Sequence, residues 1–113
     1  MIQTTTRRWE TMRTDESRMV EDTLRKDGFQ QVDSYRYNSA SIRVRVIDPR
    51  FEGLKIEKRH AMIEPHLDQL PERTQADIIS LFAFTPSELN QTPETLRQFI
   101  KNIEFDDPSP SIL

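Results

Sequence analysis

The chain has 113 residues; 31% are Asp, Glu, Lys or Arg, 35% are apolar, and the net charge is −3. That length suits one domain, large enough to bury about two-thirds of its unfolded surface. The absence of Cys excludes disulfides, thiol catalysis, zinc ribbons and any all-cysteine iron–sulfur site. No apolar run approaches the ~18 residues that a membrane span needs. The opening MIQTTTRRWETMRTDES has no apolar signal core, so a cytoplasmic location is expected. Residues 1–50 hold ten Arg and Lys against eight Asp and Glu, a balance of +2, and residues 51–113 hold six against eleven, a balance of −5. A local basic patch can attract phosphate even on an acidic molecule.

Residues 1–13 are polar and read as a flexible arm, with Trp9 and Met12 able to fold back on the domain. A single domain is expected over 14–103. A helix begins near Asp15, with Met19, Val20 and Leu24 as its apolar stripe, and Asp27-Gly28 ends it because Gly takes the left-handed cap conformation cheaply. Residues 30–37 and 41–48 read as two strands joined by a tight turn at Asn38-Ser39. In the second strand Ile42, Val44 and Val46 alternate with Ser41, Arg43 and Arg45, as in a sheet covered on one side. Asp48-Pro49 ends it.

Ile56, His60, Ile63, Leu67 and Leu70 mark a helix over 55–69, with Pro65 either kinking it or restarting it. Ile78 to Phe84, the most apolar run, reads as a buried strand. Thr85-Pro86-Ser87-Glu88 carries an N-cap, a first-turn Pro and a closing Glu. A C-terminal helix is expected over 93–103, with Leu96, Phe99, Ile100 and Ile103 on one stripe. The acidic, Pro-rich tail 104–113 reads as disordered. The expected fold is α+β: a three-stranded mixed sheet with helices on one face, in the order α-β-β-α-β-α plus an extra C-terminal helix.

Phe51-Glu52-Gly53, five residues, then Arg59-His60 resembles the F-x-G-x5-R-H signature of the BolA-like family. Thr85-Pro86-Ser87-Glu88 resembles that family's closing T-P-x-E segment. The resemblance spans roughly Glu16 to Leu89. It implies a class II KH-like fold and a non-enzymatic partner of monothiol glutaredoxins in iron–sulfur trafficking. It places partner binding on Phe51, Gly53, Arg59, His60 and Asp77. In the family a histidine at the start of the last strand, and a Cys or His in the first hairpin loop, help to hold a shared iron–sulfur cluster. Here the first position falls on Asp77 and the second has no counterpart. Carboxylate is a hard ligand, so fold and partner binding carry over while cluster ligation does not. No resident cofactor is expected.

On physical grounds alone, Gly53 suits a positive φ, Phe51 a buried anchor, and His60 a partly buried ring with one nitrogen bonded, while Arg59 falls one step off the stripe and should be more exposed. His60 is the one candidate metal ligand. His60 and His66 lie about 240° apart around a helix, so they make no joint site. With Gly28 and Gly53 alone there is no phosphate loop and no G-x-x-G of a KH nucleic-acid site. No catalytic elbow or held carboxylate pair is visible, so no enzyme is expected. Two alternatives stand beside partner binding. One is nucleic-acid binding by Arg36, Arg43, Arg45 and Arg50 with Tyr35 and Tyr37 as stacking groups, which requires both tyrosines exposed. The other is a homodimer through helix 93–103.

Overall fold

A computed structural model describes residues 7–90 and 96–112. The regular elements are α1 (Asp15–Lys26), β1 (Gln31–Asn38), β2 (Ser41–Ile47), α2 (Ile56–Leu67), α3 (Glu72–Asp77), β3 (Ile78–Phe84) and α4 (Leu96–Asp106). Short 3-10 turns cover Arg8–Met12, Pro49–Phe51 and Pro86–Asn90. The sheet order is β1-β2-β3: β1 runs antiparallel to β2, and β3 runs parallel to it. The α+β class and the mixed three-stranded sheet are therefore those expected.

Local chemistry accounts for the boundaries. The Thr14 hydroxyl accepts from the Ser17 amide, and Ser17 Oγ accepts from the Thr14 amide, so α1 starts in a reciprocal cap. Gly28 follows it with φ +100°. Pro65 lies inside α2, which runs on without restarting. The 3-10 turn after β3 keeps the reciprocal cap foreseen there: the Thr85 amide donates to Glu88 Oε1 at 2.8 Å, and the Glu88 amide to Thr85 Oγ1 at 3.2 Å.

One face of the sheet carries the main core. Val20 and Leu24 of α1 and Ile63 and Leu67 of α2 enclose Val32, Val44, Val46 and Ala83. Burying an aliphatic side chain contributes about 1.5–3 kcal/mol, so this layer dominates stability.

The second face is where expectation and structure part. It is covered as well, by the Arg8–Met12 turn and α4. Trp9, Tyr35 and Phe105 form a buried aromatic cluster there, with Tyr37 and Phe82 against it. Of the arm assigned to 1–13, Trp9 is buried in an aromatic pocket and Arg7, Arg8 and Arg13 are tied down by ion pairs, while residues 1–6 lie outside the described set. The tail assigned to 104–113 is also held: α4 runs on to Asp106, Phe105 is fully buried, the Tyr37 hydroxyl donates to the Ser109 carbonyl at 2.6 Å, and Arg8 donates to the Pro108 carbonyl at 2.8 Å. Residues 91–95, where the C-terminal helix was expected to begin, lie outside the described set. Ile100 and Ile103 of the expected stripe are exposed, because Phe105 turns the other side of α4 to the sheet. β3 is an edge strand rather than a buried one, and α3 had no separate sequence signal.

Candidate functional site

The residues of the F-x-G-x5-R-H stretch separate into those that build the fold and one that faces outward. Phe51 is fully buried, its ring 6.4 Å from that of Phe29. Gly53 takes φ +76° on the exposed turn into α2. Arg59, expected to be exposed, is buried: it donates to the carbonyls of Leu54 at 2.9 Å and Ala83 at 3.1 Å, and pairs with both Glu88 oxygens at 2.6 and 3.0 Å. It thus fastens the start of α2 to the end of β3 and to the T-P-x-E turn. The stem lies against apolar neighbours while the planar fork finds its acceptors.

His60 sits one position further on, half-buried, with Nε2 enclosed and lacking a partner among the described residues, so the bonded nitrogen expected for it is not found. It borders two adjoining cavities of ≈ 360 and ≈ 340 Å³ that share Ile79 and Leu81. Together they form a trough along the open side of β3. From α2, Ile56, His60, Glu64 and Asp68 line it; from α4, Gln98 and Lys101 do.

The backbone of β3 forms the floor. The Asp48 amide donates to the Phe84 carbonyl at 3.0 Å, prolonging the parallel ladder past the Ile47–Phe84 pair. Phe84, and by alternation Phe82 and Ser80, therefore turn their polar groups toward β2, and Ala83 and Leu81 turn theirs away. Arg59 occupies the Ala83 carbonyl. The Leu81 amide and carbonyl face the trough, as on any open sheet edge. Ile79 is an extra residue: Ile42 pairs with Ile78 and Arg43 with Ser80, so Ile79 bulges out and is 69% exposed.

Asp77 stands apart from this trough. Its carboxylate accepts from Arg36 Nη2 at 2.9 Å, and the same nitrogen reaches Glu16 at 2.9 Å. The position that the family resemblance gives to a cluster ligand is thus committed to an ion pair. The hairpin Asn38–Ser41 offers neither imidazole nor thiolate, and among the described residues no three His, Cys, Asp or Glu converge on a metal position. These residues do not fit an iron–sulfur cluster.

The surface required for nucleic-acid stacking is also absent. Tyr35 is fully buried and Tyr37 half-buried. Arg43 pairs with Glu104 at 2.7 Å and lies 3.7 Å over the Tyr37 ring. Arg45 is buried between Asp33 at 2.7 Å and Asp106 at 2.6 Å, and Arg50 binds Asp48 at 3.0 Å. The basic stripe of β2 is the inner lining of a covered face, neutralised by acids from β1 and α4.

The carboxylates give the protein a defined acid response. Burial pushes the Glu88 carboxyl up, but the hydrogen bonds from Arg59 and the Thr85 amide outweigh it and leave it below its ordinary value. Burial likewise opposes, and the bonds from Arg50 and from the Gln30 and Arg50 amides prevail, at Asp48. A carboxylate with a depressed folded pKa contributes stability above its unfolded pKa, and that contribution is lost as pH falls through the folded value. The urea midpoint is therefore expected to hold steady from pH 7 to about 5 and to fall steadily below about 4, near the ordinary Asp and Glu values of 3.8 and 4.5. A midpoint unchanged down to pH 3 would show that these pairs contribute nothing.

No protein-family model matches the sequence, and no curated protein matches it. Among solved structures the chain is similar to BolA1 from Arabidopsis thaliana, with a TM-score of 0.51 at 18% identity over 66% of this chain and 96% of that one. It is similar too to the BolA domain of SufE1 from Arabidopsis thaliana, with a TM-score of 0.50 at 17% identity over the same shares. The fold is that of the BolA-like proteins. Among the described residues no helix is long and apolar enough to cross a membrane.

Proposed function

We propose that the chain is a divergent BolA-like accessory protein, without enzymatic activity, that binds a partner protein along the open edge of β3. The trough between α2 and α4 supports this most directly: it pairs unfilled strand hydrogen-bonding groups at Leu81 with an exposed Ile79 and the unpartnered His60. Strand edges of this kind take an extended segment of another chain, with backbone bonds for affinity and flanking side chains for selection. In this reading Phe51, Gly53 and Arg59 shape the site from beneath, His60 touches the partner, and Asp77 holds the hairpin end through Arg36.

A monothiol glutaredoxin is the partner that the family resemblance points to, and here it would be bound without a cluster ligand from this chain. The test is an amide NMR titration of the labelled protein with apo and cluster-loaded monothiol glutaredoxin. Shifts are expected at His60, Ile79 and Leu81 with both forms. Silence in both titrations would remove the glutaredoxin; shifts confined to Arg36 and Asp77 with the loaded form would restore cluster ligation and overturn the assignment to β3.

A further inference from the structure

We infer that β3 also pairs with β3 of a second copy of this chain, antiparallel about a two-fold axis through Leu81, extending the sheet across two protomers. The inference rests on the reading that the β3 edge accepts a strand, and names one such strand.

Self-complementarity favours this occupant. β3 is seven residues, IISLFAF, with no charge and no Pro to discourage pairing. The residues with outward polar groups are Leu81 and Ala83, with Ile79 bulged beside them. A two-fold at Leu81 lets its amide and carbonyl exchange bonds with their own copies, and sets each Ala83 amide opposite Ile79 of the other chain. The Ala83 carbonyl, already held by Arg59, is not free to accept from the Ile79 amide of the other chain, so the bulge leaves that amide to solvent and the pairing rests on Leu81 and the Ala83 amide.

Charge favours it as well. Lys55 and Lys58 flank Glu57 at the start of α2, and Glu64 and Asp68 lie at its end, so α2 runs from a net basic start to an acidic end. The acids at the end of α4 are held within the chain by Arg43, Arg45 and Arg8 and take no part. A two-fold perpendicular to the sheet keeps each helix on its own face and runs it antiparallel to its copy, so the basic half of α2 meets the acidic half of its copy. Closed two-fold pairing also uses up the β3 edge of each copy, leaving no open β3 to add further chains. The dimer forms through β3, with α4 as a flank rather than the seam.

Sedimentation equilibrium of the full chain tests this from about 5 to 500 μM. A monomer–dimer equilibrium is expected. Ile79→Lys, at an exposed position, should abolish it while leaving the far-UV spectrum unchanged and, at concentrations well below the wild-type dimer dissociation constant, the urea midpoint unchanged too. Lys55→Glu and Asp68→Lys each suit the helix dipole at their end of α2, so folding is kept. Each alone should raise the dimer dissociation constant about tenfold, the size expected for reversing a few exposed charge contacts. An equimolar mixture of the two should recover near-wild-type association, because each reversed charge then meets its complement. A wild-type chain that stays monomeric at 500 μM, or variants indistinguishable from it, would overturn the inference. A monomer whose β3 amides still shift with glutaredoxin would leave the partner-binding reading standing; a dimer silent to glutaredoxin would do the reverse.

Discussion

Phe105→Ala is expected to lower the unfolding free energy by about 3–5 kcal/mol, the range for emptying a buried aromatic site. Phe105 is fully buried, its ring 4.8 Å from Tyr35, 5.5 Å from Trp9 and 5.6 Å from Phe82, with the Arg45 guanidinium 4.3 Å above it. The substitution removes the common member of that cluster and, with it, the reason α4 lies on the sheet. Trp9 is the single Trp of the chain, so its emission reports the event directly. A red shift should accompany the loss, together with a fall in the urea midpoint. A loss under 1 kcal/mol with unchanged emission would mean that α4 is only loosely attached and that the tail behaves as a solvated segment after all.

Arg59→Ala should cost a similar amount, about 3–5 kcal/mol, by stranding Glu88 and leaving two carbonyls without donors. The informative comparison is the double variant Arg59→Met with Glu88→Met. It removes both charges and keeps apolar volume, and should recover a large part of the loss, since an intact buried pair is often little better than a well-packed apolar one. Urea unfolding of the three proteins settles the matter. If Arg59→Ala unfolds like wild type, the Arg of the signature is not a structural fastener, and its place in a partner surface must be considered again.

The parts of the structure readable in the sequence share one property: their cause is local. The alternation Ile42-Arg43-Val44-Arg45-Val46 marks a strand with two unlike faces. The Thr85-to-Glu88 spacing marks a cap, and the Phe51-to-His60 spacing marks the turn into α2. What stayed hidden depends on partners far along the chain. Glu104 and Asp106 look like solvated tail acids until Arg43 and Arg45, 61 residues earlier in both cases, are seen to bind them. Arg59 reads as exposed because nothing near it announces a binding partner; its acceptor Glu88 lies 29 residues on. The same holds for the candidate site. The helical stripe places His60 half-buried on α2, yet the outward groups of Leu81 are backbone atoms, and which strand lies at the sheet edge is a property of topology. Tyr35 and Tyr37 beside arginines suit a stacking surface in composition alone; whether they are exposed was decided by Phe105 and Trp9, from opposite ends of the chain.

The parallel pairing of β2 with β3 also orders events in time. α1, β1 and β2 are joined by short connections and can assemble through local contacts, whereas β3 must wait for the chain from Asp48 to Asp77 to close a crossover behind it. Non-local parallel pairing of this kind is slow. While it is pending, IISLFAF is an uncharged strand with two open edges rather than one, in a chain just leaving the unfolded state. Refolding yield should therefore depend on protein concentration more steeply than native solubility does, because the segment at risk is shielded on one side only after β3 has joined.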